Sequence, residues 1–249
     1  MAETLKPKTG NDEFIEDLNL QLKGKMTNIL ESRLGETGLQ RIARLRNPEL
    51  NGFLAKYIEL CDPKSVFVCT DAAEDIAYIR DTAIRNREEI PLALEGHTIH
   101  FDAYGDQGRD KEHTNILVPE GVDLGQSISV RSRDEGYTEI HQILKGIMKG
   151  RELIVRFFCL GPTNSVFAIP CVQLTDSAYV AHSEDLLYRQ GYEELLRQGP
   201  SARFFKFVHS QGEVDERNVS VNLDRRRIYI DITEDTVYST NTQYGGNTI

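Results

Sequence analysis

Stretches with the three-to-four-residue periodicity of amphipathic helices alternate along this chain with short apolar stretches of strand character, and this restricts it to an α/β arrangement. Phe14, Ile15, Leu18, Leu22, Met26, Ile29, Leu30 and Leu34 recur at helical steps and predict a long helix ending at Gly35. Asn47-Pro48-Glu49 has the chemistry of a second helix start, with Asn47 as cap and Pro48 at the first helical position. Leu50, Phe53, Leu54, Tyr57, Ile58 and Cys61 form its apolar face, and Asp62-Pro63 stops it. A short strand over 65–69 follows. Asp71, with Glu74 three residues later, then predicts a boxed start for a helix carrying Ile76, Ala77, Ala83 and Ile84.

Beyond Pro91 strand patterns dominate, over 92–94, 98–101, 115–118 and 127–130. A helix with Ile140, Ile143, Leu144, Ile147 and Met148 on one stripe and Gly150 as its closure interrupts them. Strands over 152–158 and 166–169 come next. Ser183 then caps a helix that turns Leu187, Gly191, Tyr192, Leu195 and Leu196 inward, and the last fifty residues predict strands over 203–208, 219–223, 227–232 and 236–238. The expected fold class is α/β with an α+β tendency, a mixed sheet flanked by helices.

Composition removes whole classes of function. With 29 Lys and Arg against 39 Asp and Glu, the net charge of −10 disfavours nonspecific nucleic-acid binding, which needs many phosphate contacts; a local group of arginines is still able to hold a small anion. No apolar run exceeds four residues, so no membrane-spanning helix is expected, and the N-terminus lacks the apolar core of a secretory signal. Cys61, Cys69, Cys159 and Cys171 show no C-x-x-C spacing and lie in or beside apolar stretches, which predicts buried thiols in a reducing cytoplasm. A chain of 249 residues falls between one large domain and two small ones.

The familiar catalytic signatures are absent. No G-x-x-x-x-G-K-[ST], G-x-S-x-G or H-E-x-x-H occurs. The six histidines are scattered, and His97 and His100 fall on opposite faces of a strand. Arg225-Arg226-Arg227 between two strand patterns reads as the solvated turn of a hairpin, and Gly245-Gly246 by itself reads as a turn. Arg109 lies in a Gly-rich polar loop directly before the strand over 115–118. Its guanidinium is suited to clamp a carboxylate through two parallel hydrogen bonds, while the simpler alternative is a surface pair with Asp106 or Asp110.

Several segments in order carry a resemblance. Asn47-Pro48-Glu49 opens a helix, Arg109 precedes Thr114 by five residues, and Met148-Lys-Gly-Arg151 and Leu160-Gly-Pro162 follow. Gln173-Leu-Thr-Asp-Ser-Ala-Tyr-Val180 and Tyr244-Gly-Gly-Asn247 complete the set. Over about residues 47–249 this pattern resembles the N-terminal domain of GTP-dependent phosphoenolpyruvate carboxykinases, in an archaeal-like form. The resemblance implies conversion of oxaloacetate and GTP to phosphoenolpyruvate, GDP and carbon dioxide, with Mn²⁺ or Mg²⁺ at the transferring phosphate. It also implies a cytoplasmic monomer that engages neither membrane nor nucleic acid.

By the same resemblance Arg109 binds the substrate carboxylate, the ring edge of Tyr244 contacts it, and Gly245 and Gly246 let a backbone N–H approach it. One position departs from the pattern: Lys111 stands where better-known relatives carry an acidic residue that communicates with a mobile lid, so lid coupling does not carry over. The expected organisation is a helical segment over 1–46 and a substrate-binding domain over 47–249. Phosphate loop, metal ligands, guanine pocket and lid are all implied C-terminal to Tyr244–Asn247, so no metal ligand and no catalytic residue is expected within these 249 residues. The ending Tyr244–Ile249 reads as the opening of an element with nothing behind it, which suggests a chain stopped at the threshold of a nucleotide-binding domain. The alternative reading is a stand-alone, non-catalytic module that binds dicarboxylates or a partner.

Overall fold

The computed structural model describes residues 10–101, 110 and 112–243. Helix α1 (Gly10–Leu45) does not end at Gly35. The backbone breaks there, at φ 64°, a conformation glycine adopts without a Cβ penalty, and helical pattern resumes up to Leu45. The continuation exists because Ile42 and Leu45 repeat the apolar stripe of Leu30 and Leu34, and all four are buried. Helix α2 (Pro48–Cys61) starts as its sequence predicts, with the Asn47 side chain accepting the Leu50 N–H at 3.0 Å.

After β1 (Ser65–Val68) comes α3 (Ala73–Arg85), whose start differs from the expected box. Asp75, not Glu74, accepts the Thr70 N–H at 2.9 Å and pairs with Arg41 at 2.8 Å, and Asp71 is used elsewhere. The strands β2 (Ile90–Pro91) and β3 (Thr98–Ile99) make a small separate ladder. β4 (Thr114–Val118), β5 (Val130–Ser132) and α4 (Arg133–Leu144) follow; α4 stops at Lys145, so Ile147 and Met148 lie beyond it.

Next come β6 (Glu152–Leu160) and β7 (Ile169–Thr175). The strand expected over 166–169 is a surface turn, with Val166 94% exposed; the true strand begins where that pattern ends. The single helix expected from Ser183 is two: α5 (Ala178–Leu187), capped by Ser177, and α6 (Tyr192–Gln198), separated by β8 (Arg189–Gln190). Between the two helices β8 pairs with β6. Gly191 packs so tightly on β6 that a Cβ there would lie 2.5 Å from the backbone of Phe158. Asp71 caps the new helix, accepting the N–H groups of Tyr192 and Glu193 at 3.0 and 2.9 Å. β9 (Phe205–Ser210), β10 (Arg227–Asp231) and β11 (Thr236–Thr240) complete the fold, and a 3-10 turn at Leu223–Arg225 lies where the expected strand over 219–223 would have ended.

Nine described strands form one mixed sheet in the order β1-β6-β7-β9-β11-β10-β4-β5, with β8 also on β6, so the expected mixed sheet flanked by helices is present. Alternation along β6 divides its side chains between two cores. Leu153, Val155 and Phe157 join the large core beneath α1, α2, α4 and α6, whereas Ile154 packs under α3 and α5. Arg156 lies on the second face, fully buried between Asp185 and Gln190.

All four cysteines are buried free thiols, as their apolar surroundings predict, and burial pushes Cys69 up to about 12. No described helix is long and apolar enough to cross a membrane.

Candidate functional site

Strand direction gathers six segments at one end of the sheet. β6 runs antiparallel to β7, which sets Ile154 opposite Thr175. β7, β9 and β11 are parallel, so Thr175, Ser210 and Thr240 end together. β10 runs antiparallel to β11 and parallel to β4, which places Arg227 opposite Thr240 and Thr114 beside Ile228. Residues near 151, 176, 210, 226, 241 and 113 therefore share this end.

Two of the sequence motifs become partners here. Arg151, from the Met148–Arg151 segment, sets its guanidinium 2.8 Å from Asp176 of the 173–180 segment. The Asp176 side chain has no exposure at all. Ser210 Oγ donates to it at 2.7 Å and the Gln211 N–H at 3.1 Å. Burial pushes this carboxyl up, and Arg151, Ser210 and Gln211 pull against it. Ser177 accepts the Val180 N–H at 3.2 Å as the cap of α5 and donates its own O–H to Glu88 at 2.6 Å. Thr175 Oγ1 meets His209 Nδ1 at 2.7 Å, and His209 Nε2 meets the Thr242 carbonyl at 2.9 Å. In the neutral ring Nε2 donates to that carbonyl, so Nδ1 accepts from Thr175. The ends of β7 and β9 and the segment after β11 are thereby tied side by side.

The basic run is not a solvated hairpin turn. Arg226 is 7% exposed and pairs with Asp110 at 3.2 Å; Arg227 is held by Glu139 at 2.8 Å. His113 also reaches Asp110, at 2.9 Å. Burial would raise the Asp110 carboxyl, but the His113 backbone and ring and the Arg226 guanidinium outweigh it and hold it below its ordinary range. Asn241 Nδ2 donates to the Arg225 carbonyl at 3.0 Å, and the Gln243 amide reaches the Asn218 carbonyl.

Arg109, Tyr244, Gly245 and Gly246, the expected substrate residues, and Lys111 lie outside the described residues. Their described neighbours Asp110 and Gln243 both belong to this sheet end. The Arg151–Asp176 pair, the Thr175–His209–Thr242 chain and the neutralised Arg226 are what sequence reasoning missed. The only signal was an ionic or polar residue at the margin of an apolar strand, which does not name its partner. Among the described residues no three His, Cys, Asp or Glu side chains are grouped to hold a metal ion. The described part of this end is a hydrogen-bonded frame.

Comparison with known proteins places the sequence in a family. The family model for the phosphoenolpyruvate carboxykinase N-terminal domain matches residues 52–249. Over 220 residues, 88% of this chain, it is 61% identical to the GTP-type phosphoenolpyruvate carboxykinase of Thermococcus sibiricus and 58% identical to that of Pyrococcus horikoshii. The enzyme of the same name from Sulfurisphaera tokodaii is 41% identical over 222 residues. The chain spans 35% of the length of these relatives. With a helix-flanked mixed sheet and the 148–151 and 173–180 motifs joined at one end of it, the chain belongs to the phosphoenolpyruvate carboxykinase N-terminal domain family.

Proposed function

We propose that this chain is the dicarboxylate-binding part of a GTP-dependent phosphoenolpyruvate carboxykinase, which converts oxaloacetate and GTP to phosphoenolpyruvate, GDP and carbon dioxide. The observation that carries the reading is the 61% identity to a relative of that name over 88% of the chain. In this reading residues 47–249 are the substrate-binding domain, and the helical segment over 1–46 packs its Leu30, Leu34, Ile42 and Leu45 into the same core. Arg109 holds a substrate carboxylate, Tyr244 presents its ring edge, and Gly245 and Gly246 admit a backbone donor. The frame around Asp176 and His209 orients the segment entering Tyr244, and the Asp110–Arg226 pair orients the residue after Arg109.

The nucleotide and divalent metal do not fit the residues described here. Among the described residues no three His, Cys, Asp or Glu side chains are grouped to hold a metal ion, and the sequence has no phosphate-loop motif. In this reading GTP and Mn²⁺ or Mg²⁺ bind outside these 249 residues, and the chain alone binds substrate without turning it over.

Titration of the 249-residue chain with phosphoenolpyruvate and with oxalate tests this. Saturable binding that Arg109→Ala weakens by about 1.5–3 kcal/mol, the worth of hydrogen bonds to a charged group, is the expected result. Binding that is absent, or indifferent to Arg109→Ala, overturns it.

A further inference from the structure

An opening lies against the Arg151–Asp176 pair. It is a cleft of about 490 Å³ between the start of β1, α3, the start of β6 and the loop after β9. Six charged side chains line it: Lys64, Arg85 and Arg151, and Glu88, Glu152 and Asp176. Counting charges alone makes it neutral, but the two signs are not equally available.

Every carboxylate is already committed. Asp176 is bound by Arg151, Ser210 and the Gln211 N–H. Glu88 accepts from Ser177 Oγ, the Tyr179 N–H and Asn86, two of them at the N-terminus of α5. Glu152 accepts the Tyr78 O–H at 2.9 Å and the Ser65 O–H at 3.4 Å.

The cations are not committed in the same way. Neither Lys64 nor Arg85 has a carboxylate partner among the described residues; Arg85 donates only to Thr82 Oγ1, at 2.6 Å, and lies over the Tyr78 ring. The Lys64 N–H bonds the Arg151 carbonyl at 2.7 Å, which fixes the lysine on the rim next to the ion pair. The lining is left with two exposed cations that no described carboxylate neutralises, in a space of the size that takes small metabolites.

We propose that this cleft binds a compact oxyanion, a phosphate or a small dicarboxylate, between Lys64 and Arg85. Binding there would reach the frame through Arg151 and Gln211, both of which hold Asp176.

The test is titration of the 249-residue chain with inorganic phosphate and, separately, with malonate. Lys64→Gln with Arg85→Gln should weaken binding of the preferred ion at least about tenfold, and added chloride salt should weaken it in the parent chain. The two ions tell a phosphate site from a carboxylate site. Arg203→Gln, an exposed cation near the opposite end of β9, should leave binding unchanged and so measures the effect of net charge. Arg109→Ala separates this proposal from the substrate reading above, on which it does not rest. Loss of binding in Arg109→Ala with none in the Lys64/Arg85 variant overturns the cleft site and leaves the substrate clamp standing. Absence of binding of either ion, or equal weakening by Arg203→Gln, also overturns it.

Discussion

Replacing Arg151 by Met should unfold the chain far more easily, and the cost should depend on pH in a direction the structure sets. Asp176 is fully enclosed, and Arg151, at 2.8 Å, is its one cationic partner among the described residues. Removing one member of a buried pair leaves an uncompensated charge and costs about 3–5 kcal/mol. The Ser210 and Gln211 donors remain, which places the expectation near the lower end, about 3 kcal/mol at pH 8. The orphaned carboxylate can escape the cost by taking up a proton. Its folded-state pKa already stands above the ordinary carboxylate value through burial, and loss of Arg151 raises it further. A group raised in the folded state contributes its stability below the unfolded pKa, near 3.9, and loses it as pH rises through the folded pKa. Between those limits stability falls by about 1.4 kcal/mol per pH unit. Urea unfolding of parent and variant should therefore show a smaller penalty at pH 5 than at pH 8. Asp176→Asn should cost less and show no such slope, because Arg151 is 27% exposed and can turn to water. The double variant should be more stable than Arg151→Met alone. A penalty below about 1 kcal/mol, or one that is flat with pH, would refute the reasoning.

Other consequences follow from the same geometry. Gly191→Ala should destabilise by about 3 kcal/mol or more in the same urea assay, since the added methyl meets the Phe158 backbone at 2.5 Å, where nothing can swing aside. Asp71→Ala should cost about 1–2 kcal/mol and speed amide exchange at Tyr192 and Glu193, with α3 unaffected. Raised thiol pKa values and burial of all four cysteines should leave the native chain unreactive to a thiol reagent at pH 8, with all four released together in denaturant. Fast labelling of any of them in the native state would contradict the packing.

The sequence was most legible where a signal is local. The cap and proline of Asn47-Pro48 placed α2, because a helix start is decided by a few neighbouring backbone groups. The apolar run of β6 was found for a similar reason, although its central Arg156 gave no hint that it would be buried. Gly35 has the chemistry of a helix terminus, since a left-handed glycine closes many helices; only the burial of Ile42 and Leu45 shows that the helix continues. By sequence Asp71 belongs to α3, the helix next to it. It serves α6, more than a hundred residues away, because β6 and β8 bring the two together.

The same division separates the family from the site. Short ordered motifs over residues 47–249 were enough to point to the phosphoenolpyruvate carboxykinase N-terminal domain, since each motif is a local pattern that survives reading in one dimension. Helix capping, strand alternation and the exclusion of nucleotide and zinc signatures are local in the same sense. Which charges neutralise one another is not. Arg151 with Asp176 and Arg226 with Asp110 are consequences of strand order and direction, which pack residues distant in the chain into contact. A buried charge is tolerated only with its partner, and the partner is chosen by the sheet, so that part of the protein was decided by tertiary structure alone.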